Sequence, residues 1–204
     1  CSTGCNVKVY YNEDGLFRVK PVHNDEVNGY WMCDKGRDVY KFVNKDMRLK
    51  SAKVGQRDNW QTQEPTGAVA TMAKNLKDMV DENGPDNVAL VLTGQYTSEE
   101  YDALVGYFVN TLKSKNVYHW VNNPDSFDEF DGLLLRGDKN PNTKGLLNCL
   151  EKHGVSASWA DLESKLNSNQ LAALVVAGPE NPKYFPAVTD KVNLFSQAKQ
   201  LYWL

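Results

Sequence analysis

Val88-Ala89-Leu90-Val91-Leu92 is an unbroken apolar run, and Thr97-Ser98-Glu99-Glu100 follows it after a short turn. A strand covered on both faces reads as such a run, whereas a strand with one wet face alternates. Thr97 with Glu100 three places on is a capping box, and it opens a helix expected to run to about Lys113. The strand-then-helix pattern repeats downstream. Val117 to Val121 reads as a second strand and Gly132 to Leu135 as a third. Asn142 or Thr143 begins a helix ending near His153-Gly154, and Trp159 to Leu166 forms a short one. Leu171 to Ala177 is the clearest strand in the chain. Ala187 to Lys199 reads as helix and Gln200 to Leu204 as a last strand at the sheet edge. Upstream, Pro65 opens a helix with Val69, Met72, Leu76 and Val80 on its apolar face, and Asn83-Gly84-Pro85 stops it. Residues 65–204 therefore predict a layered α/β domain with a mostly parallel sheet.

The chain has 204 residues, 41% hydrophobic and 24% charged, which suits one domain with a small satellite. A net charge of −3 leaves no basic footprint for a phosphate backbone, so no nucleic-acid partner is expected. No apolar run approaches the roughly 20 residues of a membrane helix, and no signal-peptide pattern is present, so no direct membrane insertion is expected. The chain opens on Cys1 rather than Met and reads as a soluble piece of something larger.

Ahead of the α/β region, Val7-Lys8-Val9-Tyr10-Tyr11 and Leu16-Phe17-Arg18-Val19-Lys20-Pro21-Val22 flank the turn Asn12-Glu13-Asp14-Gly15, which predicts a β-hairpin. Asp34 reads as the cap of a short helix with Val39, Tyr40, Phe42 and Val43 as apolar positions. Residues 51–64 are polar and aperiodic and read as an extended linker.

Three of the four cysteines fall in this first segment. Three residues separate Cys1 from Cys5, and 27 separate Cys5 from Cys33. A disulfide framework would be spread through a small domain short of core, and this chain is long enough to do without one. Clustered thiols without an export signal point to metal. A [4Fe–4S] cube needs thiolates converging from several directions, and the small residues Ser2-Thr3-Gly4 let backbone amides approach the sulfurs. Zinc is the competing reading, with His23 as a fourth ligand, although the Cys1-x3-Cys5 step suits zinc less well than a CxxC pair. Lys35, Arg37 and Lys41 could balance a negative cluster, and Trp31 could shield it from water.

The stretch Cys1-Ser2-Thr3-Gly4-Cys5, the hairpin, and Val27-Asn28-Gly29-Tyr30-Trp31-Met32-Cys33-Asp34-Lys35-Gly36-Arg37 resemble the iron–sulfur domain of the molybdopterin oxidoreductases. That family's motif is Cys-x2-Cys-x3-Cys-x27-Cys. The resemblance implies that Cys1, Cys5 and Cys33 are its second to fourth ligands, with the first lying three positions upstream of Cys1. The Asn-x-x-Trp-Met-Cys-Asp-x-Gly-Arg wording is most similar to the family's NADH–quinone oxidoreductase branch, the large peripheral-arm subunit of respiratory complex I. It implies an electron-transfer subunit carrying [4Fe–4S] on a Rossmann-like scaffold without molybdopterin. The implied partners are other peripheral-arm subunits of a complex I-like assembly, on the cytoplasmic side of the inner membrane. The alternatives are a cluster-free assembly module of the same complex, or a piece of a formate dehydrogenase-like molybdenum or tungsten enzyme. The expected division is 1–50 for the cluster segment, 51–64 for the linker and 65–204 for the α/β domain, C-terminally truncated.

Elsewhere the bland readings prevail. Gly94-Gln95-Tyr96-Thr97 is not a dinucleotide fingerprint and reads as a plain turn, and Gly178-Pro179-Glu180-Asn181-Pro182 reads as a loop. His119 reads as packed, His153 as a helix-end cation, and Cys149 as a buried thiol beside Leu146 and Leu150. Asp125, Asp128, Glu129 and Asp131 read as a solvated acidic loop.

Overall fold

The strand predicted at Val88 lies at the heart of the fold. In the computed structural model, which describes residues 1–43, 50–56, 59–120, 128–178 and 191–204, the chain forms two compact units. One is Cys1–Ala68 with Asp125–Lys139; the other is Val69–Pro124 with Asn140–Leu204. This division differs from the expected one: its first boundary falls at residue 68, and a segment from mid-chain joins the N-terminal unit.

In the first unit, β1 (Val7–Asn12) and β2 (Gly15–Pro21) form the expected antiparallel hairpin, with a register shift between Tyr10 and Tyr11. Two short helices follow, α1 (Asp34–Arg37) and α2 (Val39–Val43), where one was expected. The polar stretch read as an extended linker is extended but paired, with β3 (Ala52–Gln56) antiparallel to β4 (Asn59–Gln63). Its sequence lacks the apolar alternation of a half-buried strand because β4 is exposed on both faces. Gly132 to Leu135 is a bend, not the third strand expected. The Asp131 carboxylate accepts from the N–H groups of Leu133, Leu134 and Leu135 at 2.7–2.9 Å, which withdraws them from any ladder. Few apolar side chains of this unit are buried among the described residues: Val19, Met32 and Leu134.

The second unit has a four-stranded parallel sheet, order β6-β5-β7-β8, of β5 (Val88–Thr93), β6 (Val117–Trp120), β7 (Ala173–Ala177) and β8 (Gln200–Trp203). Its helices are α3 (Pro65–Asn83, which begins in the first unit), α4 (Ser98–Gly106, extended by a π-turn over Tyr107–Thr111), α5 (Thr143–Lys152), α6 (Trp159–Asn167) and α7 (Val192–Phe195). Every residue of β5 is buried. Val88, Leu90 and Leu92 face one core with Leu76, Tyr101, Phe108 and Leu146. Ala89 and Val91 face a second core with Leu162, Leu166 and Phe195. Two cores on alternating residues explain why the strand is apolar throughout. Only part of the helix expected over 187–199 lies within the described residues. Asp125 and the loop over 179–182 fall outside them. Among the described residues no helix is long and apolar enough to cross a membrane.

Candidate metal centre

Cys1 and Cys5 lie on a loop that the sequence shapes through Gly4, whose φ of +71° side chains with a Cβ rarely adopt. The loop is anchored within its own unit. The Thr3 hydroxyl donates to the Leu134 carbonyl at 2.6 Å, and Ser2 donates to the Asp138 carbonyl from both its N–H (3.0 Å) and its hydroxyl (3.2 Å). The Asp131 turn therefore has a role. It presents the Leu134 carbonyl that holds Thr3 between the two cysteines.

Cys33 is itself the N-cap of α1, a place the sequence reading gave to Asp34. Its Sγ accepts from the Gly36 N–H at 3.3 Å, so sulfur does the work an oxygen usually does at a cap. Asp34 falls instead in the first turn, where its charge suits the helix dipole. Position 36 is tight: an added Cβ would lie 3.0 Å from Met32 Cε and 3.7 Å from Cys33 Sγ. Met32 is buried beside it, while Trp31, expected as the shield, is 63% exposed. Lys41 pairs with Asp38 at 2.8 Å.

The cysteine loop and the Cys33 turn meet at Asn28, which is 4% exposed. Its Oδ1 accepts from the Asn6 N–H at 3.0 Å, and its Nδ2 donates to the carbonyls of Trp31 (3.0 Å) and Val22 (3.2 Å). One side chain thus ties the residue after Cys5 to the segment entering Cys33. Sequence reading placed Asn28 inside the motif without giving it this task; the signal was a polar amide at a turn.

All three thiols are free, and they share one electrostatic neighbourhood. Burial pushes the Cys5 thiol up, and the neighbouring Cys33 pushes it further. His23, the fourth ligand of the zinc reading, is engaged elsewhere: it bonds Asp25 at 2.9 Å and stacks on Tyr30 with ring centroids 3.9 Å apart. Among the described residues, the group whose metal-binding atoms all lie within 4.8 Å of one another is Asp102, Cys149 and His153, in the second unit.

In the second unit the turn after β5 is filled by the chain itself. A Cβ added at Gly94 would meet the Asn140 side chain at 2.6 Å and Thr143 Oγ1 at 2.9 Å. Burial lowers the His119 pKa, in keeping with a packed ring.

Residues 1–45 match the family described as the molybdopterin oxidoreductase Fe4S4 domain. Over 192 residues, 94% of this chain, the sequence is 24% identical to proteins of Staphylococcus aureus strains MRSA252 and USA300 that bear the name "Putative formate dehydrogenase". The chain spans 18% of the length of those relatives. Among solved structures, acetylene hydratase from Pelobacter acetylenicus shares the fold, with a TM-score of 0.50 and 17% identity over 90% of this chain and 27% of its own. The superfamily resemblance carried by the cysteine motif is thus supported, by relatives that carry a formate dehydrogenase name.

Proposed function

We propose that the chain is the iron–sulfur segment and an α/β unit of a formate dehydrogenase-like molybdopterin oxidoreductase, with Cys1, Cys5 and Cys33 as three ligands of a [4Fe–4S] cluster. The observation that carries this reading is the match of residues 1–45 to the Fe4S4 domain, on a segment whose two thiol-bearing turns are pinned by one buried asparagine. A bound cluster supplies one-electron transfer. The chain's own residues carry the thiols on two turns joined through Asn28, give Cys33 a backbone N–H donor from Gly36, and exclude water through Met32. The sparse core of the first unit favours a metal staple, because ligation adds folding energy where burial is short. An α/β unit of this size encloses no bis-pterin by itself, so the molybdenum chemistry of such a parent belongs to further domains, and the isolated chain is not catalytic.

The test is anaerobic reconstitution of the chain extended upstream to include a cysteine three positions before Cys1. It should take up about four irons and show the broad visible absorbance and reduced-state EPR of a [4Fe–4S] centre. Cys33→Ser should lose both. Stoichiometric zinc with no iron at these cysteines would overturn the proposal.

A second reading rests on one observation, the Trp31-Met32-Cys33-Asp34-Lys35-Gly36-Arg37 wording. It makes the parent the large peripheral-arm component of an NADH–quinone oxidoreductase, without molybdenum, bound to the other components of that arm on the cytoplasmic face of the inner membrane. Formate oxidation by the purified parent favours the first reading; co-purification with an NADH-oxidising complex favours the second. If substituting all three cysteines left that co-purification intact, the chain would be a cluster-free assembly module.

A further inference from the structure

A second group of metal-binding side chains lies within the α/β unit, separate from the cysteine segment. Cys149 and His153 are four residues apart at the end of α5, so both project from one helix face. Asp102 comes from α4, which packs against α5. The His153 Nε2 lies 2.9 Å from Asp102 Oδ1, and the donor atoms of Asp102, Cys149 and His153 all fall within 4.8 Å of one another. Cys149 is buried, and the His153 side chain is only 12% exposed, so two of the donors are held in place by packing. Gly106, the last residue of α4, lies beside the ring: a Cβ there would rest 3.7 Å from His153 Cε1, in ordinary contact. On the outer side, Asp102 and Cys149 border an open cleft of about 340 Å³ shared with Ser98, Asn148 and Lys152.

The geometry points to a divalent transition-metal site, of the zinc type, formed by Asp102, Cys149 and His153, with a fourth position open to the cleft. A thiol, an imidazole and a carboxylate suit zinc, whereas calcium and magnesium call for oxygen donors throughout. Metal–ligand bonds of the usual lengths set tetrahedral donors roughly 3.3–3.6 Å apart. The Asp102–His153 pair, at 2.9 Å, therefore opens slightly, a movement that the half-exposed Asp102 side chain supplies by rotation. Lys152, whose ammonium lies 2.7 Å from the same Asp102 oxygen, is the competitor: it holds the carboxylate in the metal's place. The competing account makes Asp102, Lys152 and His153 simply an ion-pair clamp between α4 and α5.

Zinc titration by calorimetry, in a background with Cys1, Cys5 and Cys33 changed to serine, decides between them. One zinc should bind per chain, with Asp102→Asn and His153→Ala each weakening it by more than the roughly 10–100-fold that loss of a mere supporting partner costs. Lys152→Met should tighten binding severalfold, a change that a clamp without metal would not show. Cobalt in place of zinc should give a thiolate charge-transfer band that Cys149→Ser abolishes. If serine replacement unfolds the first unit, the wild-type chain should still hold one more zinc than Asp102→Asn or His153→Ala. Absence of a zinc equivalent in the background, or unchanged affinity in folded Asp102→Asn and His153→Ala, would overturn the site.

Discussion

The side-chain oxygen of Asn28 accepts from the backbone N–H of Asn6 at 3.0 Å, and so couples the turn after Cys5 to the segment that leads into Cys33. The same amide serves the carbonyls of Trp31 and Val22. Asn28 thus links the two cysteine-bearing turns, beside the anchors that Thr3 and Ser2 give the first of them. Asn28→Ala leaves the Asn6 N–H and the carbonyls of Val22 and Trp31 without this partner, and should cost about 1–3 kcal/mol. Urea denaturation followed by a spectroscopic signal from the first unit should show the loss, with iron uptake on reconstitution falling in parallel.

The capping box of α4 is reciprocal. The Thr97 N–H donates to Glu100 Oε2 at 2.7 Å and the Glu100 N–H to Thr97 Oγ1 at 3.2 Å. Thr97→Ala should destabilise the second unit by about 1 kcal/mol. Glu100→Ala should cost less, and the double variant less than the sum, since each change already breaks the shared arrangement. A double-mutant cycle by thermal denaturation measures the coupling.

Acid should weaken the second unit partly through Asp161. The buried Tyr118 hydroxyl donates to Asp161 Oδ2 at 2.5 Å, and Lys165 adds an ion pair at 3.2 Å. The Tyr118 bond is the main cause that lowers the Asp161 pKa, and Lys165 contributes further. A carboxyl with a depressed folded pKa stabilises fully above its unfolded value, and the contribution fades as pH falls through the folded one. Tyr118→Phe should therefore cost about 1 kcal/mol near neutrality, a figure discounted for the exposure of Asp161. The gap from wild type should narrow as the pH falls below the ordinary aspartate value of about 3.9. Denaturant titrations at the two pH values show whether it does.

Two leucines test the reassignment of Gly132 to Leu135. Leu90 is fully buried in β5, and Leu90→Ala should cost about 2–5 kcal/mol. Leu133, expected in a strand, is 64% exposed in the Asp131 bend, and Leu133→Ala should stay within about 0.5 kcal/mol. Equal losses in melting temperature at both positions would restore the strand.

What was legible in the sequence was whatever the chain writes locally. The β5 run, the Thr97 box, the stop at Gly84 and the hairpin before Gly15 all turned up where periodicity and turn chemistry put them. These signals need only neighbours within a few residues. The hairpin β3–β4 was hidden because exposed strands carry no apolar alternation. The bend at 132–135 was misread because one aspartate captured three amides that a strand would have used.

By itself the sequence determined the alternation of strands and helices and the spacing of Cys1, Cys5 and Cys33. The tertiary structure decided what those residues meet. Thr3 finds its acceptor at Leu134, 131 positions away, and Asp102 finds His153 at a separation of 51. No local pattern encodes such a meeting. A polar group taken from water must be satisfied by whatever part of the folded chain passes beside it, and only packing of the whole unit fixes which part that is.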